Sequence, residues 1–157
     1  MYKKILLAVD GSENAMRAMD KAIQLQKVFN SEVIAFHAVE YHRIPTKIPL
    51  PIPFNTTYAY NMATADQELI RQKYLEAGRK LLNKTQKKFK DAGVEVDARL
   101  VEFTSPEEFA LDAGEKFGID LIIIGCKGDH SKLERVFLGT VAQKLVNEAK
   151  CDVLTVR

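Results

Sequence analysis

The chain has 157 residues, 46% hydrophobic and 28% charged, a length and balance that fit one globular domain over residues 1–157 and exclude a disordered or fibrous protein. Its 23 Lys and Arg against 21 Asp and Glu leave a net charge of +2, too small to draw it to nucleic acid or a membrane surface. Cys126 and Cys151 lack CxxC or Cys/His spacing, which argues against structural zinc and a disulfide framework, and the short apolar run after Lys4 suits neither a signal peptide nor a membrane span; a cytoplasmic location is expected.

Ile5 to Val9 is an unbroken apolar run closed by Asp10-Gly11-Ser12, the signature of a strand buried on both faces. Ser12 can cap a helix whose Ala15, Ala18, Ala22, Leu25 and Phe29 recur at steps of three and four, a narrow stripe of mostly small residues that can lie close on a sheet. Glu32 to Val39 reads as a second strand. From Ile44 to Asn61, Pro45, Pro49, Pro51 and Pro53 remove backbone donors, so this stretch reads as a long loop, a candidate lid or partner surface.

Thr64 and Gln67 form a capping-box pattern ahead of a helix of roughly 28 residues, with Ile70, Tyr74, Ala77, Leu81 and Phe89 as its stripe and Gly93 as its stop. Glu95 to Val101 is a third strand. Ser105-Pro106-Glu107-Glu108 is a full helix start, with a capping serine, proline in the first turn and the glutamate that closes the box. That helix carries Ala110, Ala113 and Phe117 and stops at Gly118. Asp120 to Gly125 is a fourth strand, Ala142, Leu145, Val146 and Ala149 mark a last helix, and Asp152 to Val156 is a fifth strand. Strands alternating with helices give an α/β fold, a doubly wound five-stranded parallel sheet with helices on both faces.

In such sheets ligands bind beyond the carboxyl ends of the strands. The segments there are Asp10-Gly11-Ser12, His37-Ala38-Val39, and Gly125-Cys126-Lys127-Gly128 running on to Gly139-Thr140-Val141. Glycines admit phosphate oxygens to the backbone, and a helix N-terminus turns free N–H groups toward an anion. Gly125, Gly128, Gly139 and the Thr140 hydroxyl can therefore form a polyphosphate cradle; the same glycines also suit ordinary turns. Asp10 suits a ligand contact or a cap on the first helix. His37, His42 and His130 show no metal spacing, and His37 reads as a structural strand-end histidine. Cys126 reads as a small packing residue. Lys127 and Lys132 can screen phosphate or stand in solvent.

Tyr2-Lys3-Lys4-Ile5-Leu6 leading to Val9-Asp10-Gly11-Ser12, Val33 to Val39 with His37, Asp120 to Gly128, and Leu138-Gly139-Thr140-Val141 together resemble the universal stress protein family along almost the whole chain. The most specific part is the family's ATP-binding signature G-x2-G-x9-G-[ST], to which Gly125, Gly128, Gly139 and Thr140 correspond. The resemblance implies strand order 3-2-1-4-5, a homodimer formed through the C-terminal strand, and bound ATP with Mg or Mn as its companion ion. By position, it places Asp10 near ribose and phosphates, the Ala38 backbone at the adenine edge, and Gly125, Gly128, Gly139, Thr140 and Val141 around ribose and phosphates. Ser131, Ala8, Val9 and Ile124 complete the implied site.

Two positions depart from the family pattern. Ten residues separate Gly128 from Gly139, with Asp129 as the extra one, and Thr104 stands where many members have glycine. The resemblance implies an ATP-binding regulatory or stress-response module acting on a protein partner that the sequence does not name, with a nucleotide-free dimeric adaptor as the alternative. Enzymes of related architecture lack their residues here. There is no GxxxxGK[ST], no GxGxxG after the first strand, and no assignable general base, so slow ATP hydrolysis is the most expected of it.

Overall fold

The computed structural model describes residues 1–39, 56–127 and 138–157, with side chains of the long second helix described from Gln67 onward. In chain order the elements are β1 (Lys4–Ala8), α1 (Glu13–Phe29), β2 (Glu32–Ala38), α2 (Thr56–Asp91), β3 (Asp97–Val101), α3 (Pro106–Phe117), β4 (Leu121–Gly125), α4 (Thr140–Glu148) and β5 (Asp152–Val156). All strand pairings are parallel and the order is β3-β2-β1-β4-β5, as expected.

Side chains alternate across the sheet and build a core on each face. Ile5, Leu7, Val9, Val33 and Ala35 pack with Ala18, Met19, Ala22 and Ile23 of α1 and Leu82 and Phe89 of α2. Leu6, Ile34, Phe36, Ile122 and Ile124 pack on the other face with Ala110 and Ala113 of α3 and Ala142 and Leu145 of α4. Central strands buried on both sides explain the unbroken apolar runs of β1 and β4.

The helix starts follow the sequence where capping chemistry is explicit. Ser105 and Glu108 form the reciprocal box with Pro106 in the first turn, and Gly118 ends α3 in the left-handed conformation. The Ser105 N–H, donating to the Glu108 carboxylate, holds that carboxyl below its usual range. Asp120 ties β1 to β4: its Oδ2 accepts the N–H groups of Lys3 at 2.7 Å and Lys4 at 2.9 Å.

Several expectations are corrected. Helix α2 starts at Thr56, so residues 56–61 are helix and Thr64 falls within it and not at its start; Pro45, Pro49, Pro51 and Pro53 lie outside the described residues. The buried stripe of α2 is Leu75, Gly78, Leu82, Thr85 and Phe89, with Tyr74 and Ala77 exposed. Gly78 and Thr85 carry no apolar signal, yet Thr85 is wholly buried because its hydroxyl donates to the Leu81 carbonyl at 3.0 Å, which offsets the cost of burying it. Phe117 and Val146 are exposed. In the turn after β3 the left-handed residue is Phe103, with φ 63°, one position before Thr104.

Candidate functional site

Strand β1 lies where the chain connections change direction, with β2 on one side and β4 on the other, so the carboxyl ends of β1 and β4 flank the cleft in which open sheets bind ligands. After Ala8 and Val9 the chain turns through Asp10 and Gly11, whose φ of +84° suits glycine. The Asp10 Oδ1 accepts the Ser12 N–H at 3.0 Å. Ser12 caps α1 by accepting the Ala15 N–H at 3.1 Å and donates its hydroxyl to the Lys127 carbonyl at 3.4 Å. Asp10 thus braces the turn, and Ser12 is the cap.

Gly125 ends β4 against the start of α1. A Cβ built there would lie 2.9 Å from both the Ala15 nitrogen and the Asn14 carbonyl carbon, so only glycine lets the two backbones approach this closely. Immediately after it, the Cys126 N–H donates to the Val156 carbonyl at 2.7 Å, and the Cys126 carbonyl accepts the Gly139 N–H at 2.6 Å. That last bond brings both ends of the segment between β4 and α4 together at its base. Gly139 is the N-cap of α4 and, having no side chain, gives the first-turn N–H groups of that helix no side-chain cap of its own. Uncapped helix N–H groups favour an anion. Ile124 is buried beneath this junction and Val141 is half-buried.

On the other side of β1, β2 ends at Ala38, and the Val39 N–H donates to the Val101 carbonyl at 2.9 Å. The His37 Nδ1 lies 2.8 Å from the Val9 carbonyl. A carbonyl only accepts, so Nδ1 donates. Helix α2 makes room for this ring at Gly78, where a Cβ would lie 2.9 Å from the His37 Cδ2.

The fold therefore gathers Ala8, Val9, Asp10, Ala38, Ile124, Gly125, Gly139, Thr140 and Val141 at one end of the sheet; Gly128, Asp129 and Ser131 lie outside the described residues. Sequence reading missed Asn14, whose Nδ2 donates to the Lys127 carbonyl at 3.4 Å beside the Ser12 bond. An amide two residues past a helix cap is its only signal. Among the described residues no group of three or more His, Cys, Asp or Glu side chains could hold a metal ion, and no helix is long and apolar enough to cross a membrane.

These features define a doubly wound α/β domain with Gly11, Gly125 and Gly139 at the carboxyl ends of β1 and β4, where its chain connections change direction. The chain belongs to the universal stress protein family, whose model matches residues 1–157. Universal stress protein MJ0531 of Methanocaldococcus jannaschii is 32% identical over 157 residues, covering 100% of this chain and 83% of the relative. Among solved structures, protein MJ0577 of the same organism superimposes with a TM-score of 0.76 at 24% identity, covering 99% of this chain and 96% of the other. A universal stress protein solved in complex with cAMP has a TM-score of 0.67 at 22% identity, covering 99% and 97%. One from Archaeoglobus fulgidus in complex with dAMP has 0.63 at 18%, covering 99% and 98%.

Proposed function

We propose that this protein binds ATP in the cleft between the carboxyl ends of β1 and β4 and acts as a nucleotide-dependent regulatory or stress-response module. The observation that carries the reading is Gly125, pressed against α1 where no side chain fits, next to a helix start whose N-cap, Gly139, offers no side chain and is anchored to Cys126. Such a junction is suited to bringing phosphate oxygens against backbone N–H groups. The fold neighbours in complex with cAMP and dAMP, both adenine nucleotides, support the same ligand class.

In this reading the Ala38 backbone meets the adenine edge, and Ala8, Val9, Asp10, Ile124 and Val141 surround the ribose. Gly125, Gly139 and Thr140, with Gly128 by its place in the signature and Ser131 by the family resemblance alone, hold the phosphates. Mg or Mn accompanies the phosphates as a counter-ion with hard oxygen ligands. The subunits pair through β5, the edge strand of the sheet, in the cytoplasm.

Mass identification of the small molecule released on heat-denaturing the purified protein tests this directly. ATP or its breakdown products in near-stoichiometric amount are expected. A preparation that carries no nucleotide and takes up none when supplied would leave a nucleotide-free dimeric adaptor.

A further inference from the structure

Where β1 ends, its pairing with β2 is interrupted. The register runs from Lys4 opposite Glu32 to Ala8 opposite Phe36, and the Val9 N–H still donates to the Phe36 carbonyl at 3.0 Å. In an evenly spaced parallel ladder the next bond would run from the Ala38 N–H to the Val9 carbonyl. Among the described residues no backbone bond joins these two groups; the Val9 carbonyl is instead 2.8 Å from the His37 Nδ1.

The direction of the Ala38 backbone follows from the same ladder. Phe36 uses its carbonyl toward β1, whereas Val39 uses its N–H toward Val101 of β3. Ala38, two residues after Phe36, therefore turns both its N–H and its carbonyl toward β1, which at that level is bending away into α1. His37 points to the opposite sheet face, under α2, where Gly78 leaves space for the ring.

We propose that His37 is a positioning residue for base selection: its Nδ1–H engages the Val9 carbonyl and so keeps the neighbouring Ala38 N–H available to a ligand. The chemistry favours adenine. Its N1 accepts a hydrogen bond and its exocyclic amine donates one, matching a backbone N–H and carbonyl on a single residue. Guanine presents a donor at N1 and an acceptor at O6, which meets that pair with the wrong polarity. This inference rests on the adenine-nucleotide reading above, and its test separates the two.

His37→Leu removes the donor and keeps comparable bulk. His37→Asn keeps an amide donor attached to Cγ, at the place of Nδ1. ATP and GTP affinities are measured for wild type and both variants by calorimetry, and exchange of the Ala38 amide is followed by NMR in the nucleotide-free proteins. His37→Leu is expected to weaken ATP binding about tenfold, the effect of one lost hydrogen bond, with GTP binding unchanged. His37→Asn should restore the ATP to GTP ratio. In the free protein the Ala38 amide should exchange freely in wild type and slow down in His37→Leu, where it recovers the Val9 carbonyl.

An unchanged ATP to GTP ratio in His37→Leu would overturn the proposal, as would an Ala38 amide already protected in wild type. Should wild type bind no ATP, the adenine reading falls by itself, and Ala38 exchange in the free proteins still decides the role of His37. Nitrogen shifts of the wild-type imidazole give a check independent of any variant. A ring protonated at Nδ1 and bare at Nε2 supports the assignment, and the reverse tautomer overturns it.

Discussion

Gly125 and Ala15 lie closer than any other residue at position 125 would allow: a Cβ added to the glycine would be 2.9 Å from the Ala15 nitrogen. The contact sets how near the end of β4 comes to the N-terminus of α1.

Gly125→Ala should therefore push α1 from the sheet, because the atoms it meets are backbone and cannot rotate away. We expect a loss of about 1–3 kcal/mol in urea unfolding, the usual cost of an overpacked core, together with a fall in ATP affinity. Stability and affinity both unchanged would mean that α1 can shift without consequence.

Gly78→Ala tests the second close approach. Its Cβ would lie 2.6 Å from the Leu100 Cδ1 and 2.9 Å from the His37 Cδ2, but both neighbours are side chains, so part of the strain can relax. A loss of about 1 kcal/mol or more is expected, with the His37 imidazole resonances displaced in NMR spectra. Unmoved resonances would show that Leu100 alone yields.

The outer edge of β5 supports a prediction about assembly. The Asp152 N–H donates to the Asp120 carbonyl and the Val156 carbonyl accepts from Cys126, so the even-numbered residues of β5 face β4 and the Thr155 N–H faces the open edge. Thr155→Pro deletes that outward donor and spares the inner ladder. Light scattering should show wild type as a dimer and this variant as a monomer with its far-ultraviolet circular dichroism retained. A variant that stays dimeric would place the interface elsewhere.

Much of the architecture could be read because single residue types forced it. Burial on both faces was legible in the unbroken apolar run from Leu121 to Ile124, and the Ser105-Pro106-Glu108 start left one reading. The α2 stripe was misplaced by one position because Gly78 and Thr85 are buried for reasons other than hydrophobicity: one is an absence of bulk under which a ring sits, the other a hydroxyl satisfied within its own helix. Gly125, Gly139 and Asp10 of the candidate site were visible as turn punctuation at strand ends. The His37 bond to the Val9 carbonyl was not, since it depends on two strands ending at different levels.

Asp120 provides a pH signature. Its carboxylate accepts two backbone N–H groups at the start of β1, and these bonds, that of Lys4 first, hold its pKa below the ordinary value of 3.8. The folded chain thus binds this proton less readily than the unfolded one. The stabilisation is complete above the ordinary carboxylate value and is lost as the pH falls through the lower folded value. Asp120→Asn should flatten the acid limb of a plot of melting temperature against pH below about 4, leaving the neutral region parallel to wild type. An acid limb as steep as that of wild type would show that other carboxylates govern it.

ATP binding is tested by isothermal titration of ATP into nucleotide-stripped protein in the presence of Mg²⁺, with GTP as the comparison. Saturable binding of one ATP per subunit and markedly weaker binding of GTP are expected. Heats no larger than dilution for ATP, or equal affinity for the two nucleotides, would contradict ATP-selective binding.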